Sequence, residues 1–269
     1  MLPFDIVFLI LLGFLVGVVA SMTGIGGGTF IVPVLSILYE FTSQESFGTS
    51  LAVIVFTSIA STYAYSRQKR IDYKVGAIST ITTTPGAVLG AYMTDLIPSS
   101  LLGIIFSFFM IFVALRMLSD WHIPLPKIVK NPKLSHRRLV DSTGKVFEYE
   151  ANILLAFVLA FFGGLSSGLL GIGGGALIVP ILNIAAGLPM HVAVATSMFI
   201  MIFTSIAGVT THLLLGNVRL EYSIYIAIGV VLGAQLGAKI AKKVSGKLLS
   251  TVFSMVLIIV SIRLLLKFV

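Results

Sequence analysis

The chain has 269 residues, of which 57% are hydrophobic and 10% charged, with no cysteine and a mean hydropathy of +1.08. Water-soluble domains carry about a quarter charged residues, so a soluble globular protein is excluded; the missing cysteines exclude disulfides, thiolate metal sites and a thiol relay for substrate. The formal net charge is +8, but Lys and Arg collect on the cytoplasmic side of membrane proteins, so the excess requires no nucleic-acid partner.

In chain order, apolar runs cover residues 4–22, 29–39, 47–66, 73–94, 99–118, 152–170, 176–187, 192–215, 222–241 and 248–268. Eight are long enough to cross a bilayer as helices. The runs at 29–39 and 176–187 are not: at about 1.5 Å per residue each reaches roughly 18 Å, little more than half of a hydrocarbon core. Each follows directly on a glycine cluster, which predicts a helix broken inside the membrane that crosses part-way or re-enters. Residues 1–22 have the apolar stretch of a signal peptide, but Asp5 stands where a basic leading region belongs and the element recurs internally, so they read as a mature membrane helix.

Shifting the chain by 147 positions superposes its halves without a gap from residue 22 to 91. Gly24-Ile25-Gly26-Gly27-Gly28 falls on Gly171-Ile172-Gly173-Gly174-Gly175, and Ile31-Val32-Pro33 on Ile178-Val179-Pro180. Thr49-Ser50 falls on Thr196-Ser197, and Phe56 to Ala60 on Phe203 to Ala207. The chain is a tandem duplication. Its expected organisation is a first membrane repeat over 1–119, a cytoplasmic linker over 120–151 and a second repeat over 152–269.

Charge orients the halves. Fifteen of the 18 Lys and Arg lie in three stretches, Arg67 to Lys74, Arg116 to Lys145 and Lys239 to Lys247, which the positive-inside rule places in the cytoplasm. The opposite connections carry Glu40, Glu45, Asp95 and Glu221, with Arg219 as their base; Arg263 and Lys267 are discordant. Between these anchors the helix at 47–66 runs inward and its mate at 192–215 runs outward. The expected fold class is therefore an all-α polytopic membrane protein of two inverted-topology repeats, about five segments each, with paired broken or re-entrant helices at the glycine motifs. Transporters of that build bind substrate where the broken helices of the two halves meet.

Glycines at membrane depth free backbone N–H groups that lipid cannot satisfy but an anion can, and the short helices starting near Thr29 and Ala176 would aim their positive ends at it. The candidate binding residues are Gly26, Gly27, Gly28 and Thr29 with Gly173, Gly174 and Gly175, then Thr49, Ser50, Thr196 and Ser197 where the next helices open, and Gln235, the polar exception on its helix. The competing reading is that the glycines only allow close helix packing. A nucleotide loop at Gly171, Gly173 and Ala176 lacks the preceding strand and the following acid. Thr57, Ser58, Thr204 and Ser205 either line a pathway or satisfy their own helix carbonyls. Gly86, Gly90, Gly233 and Gly237 read as packing positions. The Thr80 to Pro85 stretch reads as a softened kink, its hydroxyls covering carbonyls that Pro85 leaves unpaired. His191 and Gln44 sit at matching hairpin mouths, and His212 reads as a solvated residue at the outer surface.

No His, Asp or Glu set has metal-ligand spacing and no acid lies mid-span, so no cofactor, metal site or buried proton-relay carboxylate is expected. An intramembrane enzyme would gather a nucleophile, base or metal ligands at depth, and a scaffold would not need paired broken helices. In the linker, Arg137 to Val140 and Lys145 to Tyr149 flank Asp141-Ser142-Thr143-Gly144 as a small β-hairpin.

The G-x-G-G-G clusters with their following prolines, Gly24 to Pro33 and Gly171 to Pro180, and the helix start His191-Val192-Ala193-Val194-Ala195-Thr196-Ser197 resemble the TauE/SafE, or sulfite exporter, family of membrane permeases. The resemblance covers nearly the whole chain except the linker. It implies a multi-pass protein of a bacterial or archaeal plasma membrane that moves small sulfur-containing anions, sulfite or organosulfonates such as sulfoacetate. Other small carboxylates or inorganic anions, and ion-coupled uptake in place of export, stay open. The cysteine relay of the more distant thiosulfate importers has no counterpart here.

Overall fold

The structure, a computed structural model, describes residues 3–118 and 135–241 and, in the last segment, residues 258, 261, 262, 265 and 266. Its elements are α1 (Pro3–Thr23), α2 (Gly28–Leu38), α3 (Ser43–Arg67), α4 (Tyr73–Leu96), α5 (Ser99–Leu118), β1 (Ser135–Val140), β2 (Val146–Ala151), α6 (Ile153–Leu170), α7 (Gly175–Pro180), α8 (Met190–Leu214) and α9 (Leu220–Ile240). After Pro180, α7 continues as a π-helical turn over Ile181–Ala185.

Helix starts follow from local chemistry. Thr42 and Glu45 form a reciprocal capping box at α3, with the Glu45 N–H donating to Thr42 Oγ1 at 3.2 Å and the Thr42 N–H donating to Glu45 Oε2 at 3.1 Å. Asp72 caps α4 by accepting from the N–H groups of Lys74 and Val75, and Asn152 caps α6 by accepting from that of Leu155.

Among the described residues, α1, α3, α6, α8 and α9 are long and apolar enough to cross a membrane. Five of the eight runs expected to cross are borne out on length and apolarity. Helix α4 has 24 residues, but its serines and threonines dilute its apolarity. The described apolar part of α5 ends at Phe112, and most of 248–268 lies outside the described residues. The two short runs are helical where expected, over 28–38 and 175–185.

Helices α3 and α8 are the most buried of the spans, whereas α1 and α6 turn Leu11, Leu15, Leu154, Val158 and Phe162 outward. An apolar exterior is the surface that lipid solvates. Helix α1 packs along α9 and α4 along α6, and glycine makes both seams close. A methyl on Gly233 would fall 2.0 Å from the Phe14 carbonyl oxygen, and one on Gly164 2.0 Å from that of Thr83. Gly86, Gly90 and Gly237 lie against the backbone of the facing helix in the same way, so both G-x-x-x-G pairs are packing devices.

Helix α4 runs through Pro85 without interruption. Thr80 donates to the Gly76 carbonyl, Thr83 to that of Thr80, and Thr82 to those of Ser79 and, across the seam, Phe157. None reaches Ile81, whose carbonyl Pro85 leaves free, so the expected local compensation is replaced by a tie between α4 and α6.

The hairpin forms as read, antiparallel from Ser135↔Ala151 to Val140↔Val146. It is packed against the helices. Phe147, Tyr149 and Ala151 join Val75, Ala156, Leu182, Leu188 and Val192 in one cluster. Arg70 pairs with Asp141 at 2.8 Å, and Arg137 with Asp72 at 2.7 Å, both acids nearly fully buried. Burial would raise the Asp72 carboxyl, but hydrogen bonds from Arg137, Tyr149 and the Val75 N–H outweigh it and hold the group below the usual carboxylate range. Asp141 is held lower still, with donors from Thr143, Arg70 and Lys145 overriding its burial. Residues 120–134 of the expected linker lie outside the described residues.

Candidate functional site

The two glycine clusters form two tight loops. Gly24, Gly26 and Gly27 have φ of +78°, +95° and +95°, and Gly171, Gly173 and Gly174 have +65°, +73° and +78°. L side chains rarely adopt such angles, which is why glycine stands at these positions. Each loop turns a long helix, α1 or α6, into a short one.

The loops meet each other. A methyl on Gly28 would lie 2.4 Å from the Gly171 carbonyl oxygen and 2.7 Å from Ile172 Cα; one on Gly175 would lie 2.3 Å from the Gly24 carbonyl oxygen. Ile25 and Ile172 are both buried between them. Gly26 and Gly173 both abut the side chains of Ile54 and Met201, which are themselves 147 positions apart.

The hydroxyls of Thr49, Ser50, Thr196 and Ser197, which lie in the second turns of α3 and α8 and not at the helix starts, cross between the halves. Ser50 Oγ donates to the Gly171 carbonyl at 2.8 Å, while Ser197 Oγ donates to the Gly24 carbonyl at 3.2 Å and to that of Val194 at 2.8 Å. Thr49 Oγ1 accepts from the Arg219 N–H, and Thr196 Oγ1 accepts from the Asp72 N–H, each at 3.0 Å. Positions 72 and 219 are again 147 apart. Tyr65 Oη donates to the Ser21 carbonyl at 2.7 Å, and its counterpart His212 places Nε2 3.0 Å from the Gly168 carbonyl, the counterpart of Ser21.

Donors remain. Among the described residues, the N–H groups of Gly26, Gly27, Gly28, Gly173 and Gly174 have no backbone hydrogen-bond partner. Thr29, in the first turn of α2, is fully buried and its Oγ1 has no partner among the described residues. Its counterpart is Ala176, so the donor set is richer on one loop. Unpaired N–H groups at a helix start carry partial positive charge and attract anions.

Among the candidate residues, Gly26, Gly28, Gly173, Gly175, Ser50 and Ser197 form one contact cluster, with Thr29 in the adjoining first turn of α2, whereas Gly27 faces Val16 and Ala20 and Gly174 faces Gly163, each within its own half. Thr49 and Thr196 lie one residue from it, occupied by backbone donors. Gln235 is elsewhere: it is half-buried on α9 and donates to the Ala60 carbonyl of α3 at 3.0 Å. Thr57, Ser58, Thr204 and Ser205 all donate to carbonyls of their own helix, which is the plainer of their two readings. Gln44 ties α3 to the Ile97 carbonyl, and His191 is exposed beside Phe147.

His212 corrects the reading of a solvated surface residue: it is fully buried, because Gly48 of α3 lets the two helices close over it. Its counterpart Tyr65, visible at the offset of 147, was the signal for an internal strut at this position. A recess of about 390 Å³ lined by Ile6, Glu221, Ile224 and Tyr225 lies at the far end of the α1–α9 seam, away from the loops.

These features can be set beside known proteins. The family described as Sulfite exporter TauE/SafE matches residues 9–264. The chain is similar to the probable membrane transporter protein YunE of Bacillus subtilis, 38% identical over 83% of this chain and 84% of that one. It is also similar to a probable membrane transporter protein of Methanocaldococcus jannaschii, 31% identical over 82% and 78%. The Arabidopsis thaliana Sulfite exporter TauE/SafE family protein 5 is 36% identical over 32% of this chain and 19% of its own. No solved structure matches. With a multi-pass helical body, paired glycine loops and a family match over almost its whole length, the chain belongs to the TauE/SafE family of membrane transporters and is not an enzyme.

Proposed function

We propose that this protein is a permease for small sulfur-containing anions, sulfite or organosulfonates such as sulfoacetate, that works in the direction of export by alternating access around its two glycine loops. The carrying observation is the face-to-face pair of loops, with backbone N–H groups left unpaired and no Lys or Arg against them among the described residues. A sulfonate or sulfite presents several oxygens to such donors, and the buried Thr29 hydroxyl adds another.

The proposed architecture is two inverted repeats, with α2 and α7 entering the membrane part-way. Support comes from contacts exchanged at one offset: Ser50–Gly171 against Ser197–Gly24, Thr49–Arg219 against Thr196–Asp72, and Gly28–Gly171 against Gly175–Gly24. The basic connections and the β-hairpin face the cytoplasm; Glu45, Asp95 and Arg219 face outward. An inside-negative potential favours anion export by about 2.3 kcal/mol per charge per 100 mV, so a coupling cation is not required for that direction.

The test is flux in proteoliposomes, comparing sulfite, sulfoacetate, thiosulfate and acetate under an imposed potential. Sulfite or sulfoacetate should move faster than acetate and faster toward the positive side. Equal rates for all four, no movement of any, or indifference to the sign of the potential would overturn this reading.

A further inference from the structure

His212 performs one structural task and has a ring nitrogen to spare. Its Nε2 lies 3.0 Å from the Gly168 carbonyl oxygen. A carbonyl only accepts, so Nε2 carries a hydrogen and the neutral ring has its lone pair on Nδ1. That Nδ1 is buried and has no partner among the described residues. Tyr65, the corresponding residue of the other half, makes the same link to the Ser21 carbonyl with a single hydroxyl. A strut alone is therefore satisfied by tyrosine chemistry; the histidine adds a proton acceptor.

The site is sealed and close to the second glycine loop. Gly168 lies on the last turn of α6, and the Gly171 N–H donates to the Ser167 carbonyl at the mouth of that loop. One turn of α3 touches both places. A methyl on Gly171 would fall 2.4 Å from Phe47 Cα, one on Gly48 would meet His212 Cβ at 3.0 Å, and Ser50 holds the Gly171 carbonyl. His212 is in the last turn of α8, where the helix dipole favours a cation.

The charged groups facing this site are few. Asp95, at the end of α4, accepts from Asn217 Nδ2 at 2.9 Å, and the Asn217 N–H donates to the His212 carbonyl at 2.8 Å. Glu45 of α3 and Arg219, which precedes α9, are paired with each other. Helix α6 presents the Gly168 carbonyl to the site.

We infer that His212 is a proton-binding site of the transport cycle, taking a proton at Nδ1 so that the anion and the proton cross together. This rests on the permease reading above. The proton moves from bulk water onto the imidazole and returns to water on the other side, with no bond broken elsewhere. A dianion accompanied by one proton still carries one net negative charge, so the membrane potential continues to drive export. Because Gly48 and Gly168 close the site, the proton exchanges only when α3 and α6 part from α8, the same separation that opens the glycine loop.

The test has two arms on the full-length protein. In the first, His122, His136 and His191 are replaced by Gln, leaving His212 as the one histidine of the four, and its ring nitrogens are followed by 15N NMR in nanodiscs. The ring should pass from the Nε2–H form to the doubly protonated form as the pH is lowered with the protein still folded; a ring that stays neutral until the protein unfolds would overturn the proposal. In the second arm, proteoliposomes holding a pH indicator are given sulfite or sulfoacetate. The wild type should move about one proton with each anion, and His212→Gln, whose amide can still donate to Gly168, should cut that ratio about tenfold. An unchanged ratio in His212→Gln, or anion flux without protons in the wild type, would overturn it. If no anion moves, the permease reading fails while the titration still decides whether His212 binds a proton. If the glutamine variant does not fold, the wild-type ratio and the NMR decide between the two outcomes.

Discussion

Replacing Gly28 by Ala tests whether contact between the glycine loops matters to transport. Gly28 sits in the first turn of α2 with ordinary helical backbone, so alanine is locally welcome and gains up to about 1 kcal/mol of helix propensity. The cost is across the interface. The added methyl would lie 2.4 Å from the Gly171 carbonyl oxygen, 2.7 Å from Ile172 Cα and 3.0 Å from Ser50 Oγ. Ordinary carbon–oxygen contact needs almost 1 Å more, and the nearest obstacles are backbone, so the second loop must retreat. Overpacking of this kind costs about 1–3 kcal/mol, and stretching the Ser50–Gly171 hydrogen bond adds about 1 kcal/mol. The expected net loss is about 1–3 kcal/mol, and Gly175→Ala, 2.3 Å from the Gly24 carbonyl oxygen, should match it. The control is Gly216→Ala. Gly216 has φ of +75° and nothing within 4 Å, so alanine there brings backbone strain of about 1–2 kcal/mol without any contact. Thermal unfolding in detergent reads stability, and sulfite flux in proteoliposomes reads function. All three variants should lose stability comparably, while flux collapses in Gly28→Ala and Gly175→Ala and survives in Gly216→Ala. Flux in Gly28→Ala equal to that of the control would refute the reasoning.

Ser50→Ala and Ser197→Ala should each cost about 1 kcal/mol, and the double variant should depart from additivity by at least about 0.5 kcal/mol, because the clamped carbonyls belong to touching loops; strict additivity in thermal unfolding would count against that. Arg137→Ala leaves Asp72 buried without its cation. The loss should be about 2–3 kcal/mol, less than for a fully buried pair because Arg137 is 28% exposed, and trypsin should then cut the hairpin at Arg138 sooner than in the wild type. Asp72 and Asp141 are both held below the usual carboxylate range. Their contribution is therefore complete above the unfolded value of about 3.9 and is lost as pH falls through the lower folded values. Hydrogen exchange of the β1–β2 amides should show the hairpin docked from about pH 8 down to pH 4 and released only below that; release near pH 6 would contradict the assignment.

Much of this architecture is legible in the amino-acid order because membranes simplify the code. Apolar runs gave the helix positions, and the glycine clusters marked both breaks, since L side chains rarely take the positive φ seen at Gly26 and Gly173. The offset of 147 was readable as a duplication, but not that Ser50 would reach Gly171 in place of its own half's loop. That is a property of how the halves meet, and no local signal encodes it. The burial of His212 is hidden for a related reason: it stands two residues before the end of α8, where histidines are usually wet, and the closeness of Gly48 buries it. The Thr80–Pro85 stretch failed differently. Sequence alone points its hydroxyls to repair within α4, whereas Thr82 reaches a closer carbonyl on α6.

The exchanged contacts bear on how the proposed cycle is coupled. Thr49-Ser50 is a two-residue device: one hydroxyl accepts from Arg219 before α9 and the other donates to the loop at Gly171, so one turn of α3 joins two separate pieces of the opposite half. Thr196-Ser197 does the same in return, through Asp72 and Gly24. A rocking of one half against the other cannot release a single clamp at leisure, because each carbonyl freed in the sealed middle is left without a donor. Clamps of about 1 kcal/mol each, up to four of them, hold the closed arrangement by about 2–4 kcal/mol. A gap of that size leaves the open form populated at roughly 0.1–3%, enough to be sampled and small enough for a bound anion to reverse. In the proposed cycle, an oxyanion entering between the loops supplies acceptors for the same seryl hydroxyls and for the unpaired N–H groups, and so stabilises the parted loops at the moment their mutual hydrogen bonds are lost.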